Sequence, residues 1–165
     1  MKIFDSTCII AFLGELQEPD LLVSFIQDGY RLIIPICVYQ EIIENPAKNS
    51  LEHLLKTKKF FTSIEVEAKE LEIFQAANPK LGKGECETML LGMKAKHTEK
   101  RYCCILDDRL ARERAEKIGL KITGTIGLLQ RLVKKERISL DIYNDHIRRL
   151  IAAGFRIDPK LAEMK

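Results

Sequence analysis

Hydrophobic residues along the chain fall into short unbroken runs separated by longer stretches of helical period. The runs Lys2 to Phe4, Arg31 to Ile36, Phe60 to Val66, Tyr102 to Leu106 and Leu120 to Thr123 have strand length. Their apolarity is mostly continuous rather than alternating, which marks strands buried on both faces. Between them apolar residues recur every three or four positions. A mixed helical pattern runs from Ile9 to about Gln27, broken near Glu18-Pro19-Asp20, where Pro19 can start a second helix. Further helices are expected over Val38 to Ile43, stopped by Pro46, and over Ser50 to Leu55, Glu67 to Ala77, Glu85 to Lys96, Leu110 to Ile118 and Thr125 to Lys134.

Punctuation residues refine these limits. Leu81-Gly82-Lys83-Gly84 reads as a flexible loop before a helix with Met89, Leu90 and Met93 on one face, and Gly119 as the residue that closes the helix before it. Ser139 is an N-cap for a last helix with Leu140, Tyr143, Ile147, Leu150 and Ile151 on one face, closed by Gly154, and Asp158-Pro159 caps a terminal turn. Strands alternating with helices predict a single α/β domain over residues 1–165. Its central, mostly parallel β-sheet is flanked by α-helices, with a helical extension over about 139–165.

Composition adds limits more than direction. A chain of 165 residues with 46% hydrophobic content suits one core of ordinary size. The five cysteines, Cys8, Cys37, Cys86, Cys103 and Cys104, are odd in number, lack C-x-x-C spacing and sit mostly in apolar runs. They read as small buried apolar groups of a protein in a reducing cytoplasm. Met-Lys-Ile-Phe leads straight into polar residues, without a signal-peptide core, and no apolar stretch approaches the roughly 20 residues of a membrane span. A net charge of +3 decides nothing about a polyanionic partner. His53, His97 and His146 share no ligand spacing and read as surface residues.

The chemistry lies in four acidic stations: Asp5, Glu41, Glu85 and the pair Asp107-Asp108. Each falls where a strand hands over to a helix or loop, or just inside the helix, and in open parallel sheets ligands gather outside the carboxyl ends of strands. Two carboxylates about 4 Å apart repel by roughly 4 kcal/mol at an effective dielectric near 20. A divalent cation removes that cost, and hard oxygen donors favour Mg²⁺ or Mn²⁺ over Zn²⁺. Such a site can direct water at a phosphodiester without a side-chain nucleophile. Taken singly the acids are ordinary solvated caps, because helix N-termini favour negative charge at Glu85 and Asp108. Asp5 and Asp107 directly follow apolar strands, where capping alone gives less reason for an acid.

Neighbouring residues extend the site. Ser6 and Thr7 can bond a carboxylate or a phosphate, or simply start a helix, and the basic residues Lys83, Arg109 and Arg112 can hold phosphates. Leu-Gly-Lys-Gly lacks the Lys-Ser/Thr ending of a phosphate loop. A phosphotransfer receiver domain wants an early acidic pair, and a phosphatase with an aspartate nucleophile wants D-x-D; the chain has neither at Asp5-Ser6-Thr7. A non-catalytic binding module is the competing class.

In order along the chain these segments resemble the PIN-domain nucleases, especially the branch related to VapC toxins of toxin–antitoxin systems. Ile3-Phe4-Asp5-Ser6-Thr7 looks like that family's opening strand with its first metal-binding Asp, and Val38-Tyr39-Gln40-Glu41-Ile42 like its V-x-x-E segment. Leu81-Gly82-Lys83-Gly84-Glu85-Cys86-Glu87 resembles L-G-x-G-E-x-E, and Ile105-Leu106-Asp107-Asp108-Arg109-Leu110-Ala111-Arg112 resembles L-D-D-x-x-A-R. Gly124-Thr125-Ile126-Gly127-Leu128-Leu129 and Gly154-Phe155-Arg156 also match, so the resemblance covers essentially the whole chain. It implies a cytoplasmic, Mg²⁺- or Mn²⁺-dependent endoribonuclease acting on RNA, commonly a homodimer, with toxins inhibited by a small antitoxin. Many PIN domains carry Asp where this chain has Glu85, with Glu87 a competitor two residues on. Either Asp107 or Asp108 can be the fourth ligand, and a T-x-D pattern in relatives favours Asp108.

Overall fold

A computed structural model describes residues 1–44, 60–157, 162 and 164. Five strands form one sheet among these residues: β1 (Lys2–Phe4), β2 (Leu32–Pro35), β3 (Phe61–Ile64), β4 (Cys103–Ile105) and β5 (Ile122–Thr123). They run in the order β3-β2-β1-β4-β5, and every pairing is parallel. The unbroken apolar runs explain this, since alternate residues of each inner strand enter different cores. Phe4, Leu32, Ile34 and Ile105 pack on one side of the sheet, and Ile3, Ile33, Cys104 and Leu106 on the other.

The helices are α1 (Ser6–Ile9), continued by a π-helical segment Ile10–Glu15, then α2 (Pro19–Gln27), α3 (Ile36–Ile43), α4 (Ala68–Ala77), α5 (Lys83–Thr98), α6 (Arg109–Lys117), α7 (Thr125–Lys134) and α8 (Leu140–Ala152). Phe12, Leu22, Phe25, Leu128 and Tyr143 fill the first core; Leu71, Met89, Leu91, Ala111 and Ala115 fill the second. Arg149 of α8 donates to the carbonyls of Glu15 and Leu16 at 2.9 and 2.7 Å, satisfying acceptors at the end of the π-helical segment.

Some expectations shift. The first helix begins at Ser6, and Lys83 and Gly84 lie inside the first turn of α5 instead of in a loop. There the Glu85 carboxylate accepts from the Gly82 N–H at 2.8 Å and winds that turn tight. In α8, Tyr143, Ile147 and Leu150 are buried as expected, but Leu140 and Ile151 are 47% and 54% exposed. Met93 is likewise largely outside the face that buries Met89 and Leu90. His146 is the clearest correction. It is 2% exposed, with Nδ1 at 2.7 Å from the Ile142 carbonyl, because α8 presses that turn onto the core. The expected helix over Ser50 to Leu55, the stop at Pro46, the residue His53 and the turn at Asp158-Pro159 lie outside the described residues. None of the helices is long and apolar enough to cross a membrane among these residues.

Candidate active site

All four acidic stations stand at the carboxyl edge of the sheet. Asp5 follows β1, and its backbone N–H still pairs with the Ile105 carbonyl at 3.2 Å, so the strand frame fixes it. Glu41 lies on α3, which follows β2; Glu85 lies in the first turn of α5; Asp107 and Asp108 follow β4. Gly84 shows how close these elements come. A Cβ on it would meet Val38 Cγ2 at 2.8 Å, Asp5 Oδ1 at 3.1 Å and Glu41 Oε2 at 3.4 Å. Only a residue without a side chain allows α5 to start against both carboxylates.

The electrostatics follow from that crowding. Asp5 is 6% exposed, and its carboxyl is pushed up to about 7, first by burial and then by Glu85, Glu41 and Asp107, with the Ser6 backbone N–H opposing. Burial also raises Glu85, with Asp108 and Glu41 adding to it, while its bond to Gly82 acts against the rise. Repulsion among oxygen donors, with no cation among the described residues offsetting it at Asp5, is the condition a divalent ion relieves. No three His, Cys, Asp or Glu side chains converge on one point closely enough to hold a metal among the described residues as they stand. Glu41 is exposed, so other rotamers are open to it.

The two adjacent aspartates have different duties. Asp107 Oδ1 accepts from the Thr125 N–H at 2.8 Å and Oδ2 from the Thr125 hydroxyl at 2.6 Å. Its carboxyl is raised by burial, against the pull of Thr125 and Arg112. Asp108 is exposed and caps α6, accepting from the Ala111 N–H at 2.9 Å. Glu87 is separate from the edge. It is 5% exposed and accepts from the Cys37 N–H at 3.1 Å, holding the start of α3. Between the competing acids, Glu85 therefore lies in the carboxylate cluster and Glu87 underpins α3.

Among the flanking groups, Ser6 and Thr7 are half-buried in the first turn of α1 beside Asp5. Lys83 is exposed at the start of α5. Arg109 points along its own helix to Glu113 at 3.1 Å. Arg112 donates to the Leu106 carbonyl at 3.0 Å and lies in the field of Asp107, so its first task is to hold the end of β4. Thr125 is the residue that sequence reasoning left without a role; its place after a strand and a glycine was the available signal. The cysteines remain free and mostly buried, and burial pushes the thiols of Cys8, Cys37, Cys86 and Cys104 up, which suits the inert packing role expected of them.

No curated protein matches the chain. A family model described as a PIN domain, a nuclease-type family, matches residues 1–164. With that match, the parallel sheet and the acids gathered at its carboxyl edge, the chain belongs to the PIN-domain family.

Proposed function

We propose that this protein is an endoribonuclease that hydrolyses RNA phosphodiesters with Mg²⁺ or Mn²⁺. The observation that carries the reading is the state of Asp5: buried, crowded by Glu85, Glu41 and Asp107, and raised to about 7. Asp5, Glu41, Glu85 and one of the pair Asp107 and Asp108 would hold the ion, with Asp108 preferred because Asp107 has both oxygens engaged by Thr125. Bound there, the ion supplies an acidified water and neutralises charge developing on the phosphodiester.

The chain's own residues set the stage for that step. Gly84 keeps the floor of the site bare, and Glu87 and Thr125 hold α3 and the end of β4 in register. Ser6, Thr7, Lys83, Arg109 and Arg112 offer hydrogen bonds and positive charge to phosphates on either side. The resemblance to VapC-like proteins extends the proposal to a cytoplasmic toxin, acting as a homodimer and restrained by a small antitoxin.

The test is cleavage of structured and single-stranded RNAs with Mn²⁺, with EDTA, and with Asp5→Asn beside the parent. Cutting that requires both the metal and Asp5 supports the reading; cutting that survives Asp5→Asn removes it. The spacing of the acids favours one second reading, a non-catalytic PIN-like module that binds RNA or protein. Melting that is indifferent to millimolar Mg²⁺ or Mn²⁺ would select it, because a ligand of the folded state alone must stabilise that state.

A further inference from the structure

A group of cations gathers around a cavity at the opposite edge of the sheet. Lys2 opens β1, Tyr30 precedes β2, Arg101 and Tyr102 precede β4, and Lys121 precedes β5; together with Arg131 and Lys134 of α7 they line a cavity of about 430 Å³. That volume falls in the range of small-molecule sites. No acid lines it among the described residues.

The centre of this cavity is built, unlike a chance grouping of surface lysines. Lys2 is 3% exposed, and its ammonium lies 4.9 Å from the Phe25 ring centre and 4.7 Å from that of Tyr30. These are ring faces and supply no counter-charge. Arg101 lies over the same Tyr30 ring at 4.8 Å, and Arg131 donates to Tyr30 Oη at 3.2 Å. The Arg131 Nε is buried and has no hydrogen-bond partner among the described residues. Asp28, the acid whose field reaches both Lys2 and Arg131, is already held by Lys135 at 2.6 Å and by Arg137 at 4.0 Å. A buried cation between ring faces, a guanidinium with a buried unpartnered donor and several exposed cations thus share one concavity, and among the described residues no acid lines it.

We propose that this cavity binds a ligand carrying two or more clustered phosphates. A single phosphate would leave most of the cations unmatched, and the Tyr30 ring is already covered by cations, so recognition falls on the phosphates and not on a stacked base. The clustered phosphates belong either to a free nucleotide or to the 5′ end of an RNA. This site is independent of the acidic edge and of any nuclease activity.

The experiment is titration of the full-length protein at low salt in EDTA, so that no divalent cation recruits phosphate to the acidic edge. Probes are orthophosphate, pyrophosphate, ATP, and one short RNA bearing either a 5′-triphosphate or a 5′-hydroxyl; readouts are heat of binding and melting temperature. Pyrophosphate, ATP or triphosphorylated RNA is expected to bind at least tenfold more tightly than orthophosphate or the hydroxyl RNA. Lys2→Met and, independently, the surface double variant Lys121→Gln/Lys134→Gln should each weaken that binding tenfold or more. Glu41→Gln, at the other edge, should leave it unchanged. ATP and pyrophosphate binding identifies a nucleotide source; binding of the triphosphorylated RNA alone identifies the RNA end. Absence of binding by every probe, or binding unaffected by the Lys121→Gln/Lys134→Gln change, overturns the proposal.

Discussion

Thr125 grips Asp107 with two donors, its backbone N–H on one carboxylate oxygen and its hydroxyl on the other. The first turn of α7 is thereby tied to the end of β4, next to the acids. Thr125 is 1% exposed, so Thr125→Val keeps the volume and removes one buried hydrogen bond. A loss of about 1–3 kcal/mol is expected, read as a lower urea midpoint with an unchanged slope. An unaltered midpoint would mean that the hydroxyl anchors nothing.

The two aspartates can be separated by a paired substitution. Asn caps helices about as well as Asp, so Asp108→Asn should leave stability nearly intact. Its RNA cleavage should nevertheless fall roughly a hundredfold or more, as when a group that stabilises transition-state charge is removed. Should Asp107→Asn abolish cleavage while Asp108→Asn spares it, the ligand is Asp107 and Asp108 is only a cap.

Asp5 makes the metal-free protein sensitive to pH in a fixed direction. Its carboxyl is raised from an ordinary value of 3.8 to about 7, so across that window the folded chain keeps a proton that the unfolded chain has lost. Stability therefore falls as pH rises through the window, by on the order of 4 kcal/mol above it. Asp5→Asn cannot ionise and lacks this slope. In EDTA the variant should melt higher than the parent above neutrality, with the gap closing as the pH approaches 4. A parallel pair of curves would show that Asp5 ionises without penalty.

Gly84→Ala tests the shared floor of the site. Its methyl would stand 2.8 Å from Val38 Cγ2 and 3.1 Å from Asp5 Oδ1, so α5 or Asp5 must shift. Overpacking of this kind costs about 1–3 kcal/mol. Metal-dependent cleavage should drop more than the folded fraction does, as seen by comparing activity and circular dichroism on the same samples.

Glu85 and Glu87 are expected to fail differently. Glu87→Ala leaves the Cys37 N–H buried and unpaired, lowering stability by about 1–3 kcal/mol while the remaining folded molecules still cut RNA. Glu85→Gln should retain stability and lose cleavage. The reverse assignment would appear as the reverse pattern in denaturation and activity.

The strands and most helices were legible because their signals are local. Buried parallel strands announce themselves as apolar runs, and Thr125 to Lys134 appears as α7 with the limits its pattern predicts. The acids were legible as a set because each follows a strand or opens a helix near one. What escaped was set by packing. Lys83 and Gly84 have loop character alone, yet the Glu85 bond to Gly82 draws them into a helix. His146 looks like a surface residue until α8 is laid against the first core, and Leu140 and Ile151 look like core until the same packing turns them outward. Nothing in the spacing of Glu87 distinguishes it from Glu85; only the position of Cys37 across the fold does so.

Lys2 and Asp5 bound the same three-residue strand. At the rise of a β-strand the basic cavity and the acidic edge are therefore separated by roughly 10 Å along β1. The cations that line the cavity and the crowded carboxylates thus stand at opposite ends of one strand, an arrangement about which the net charge of +3 says nothing. That separation is comparable to the Debye length of about 8 Å at physiological salt. A phosphate chain nearing these two patches should be drawn to the first and repelled by the second most strongly at low salt, a difference at long range that shrinks as ionic strength rises.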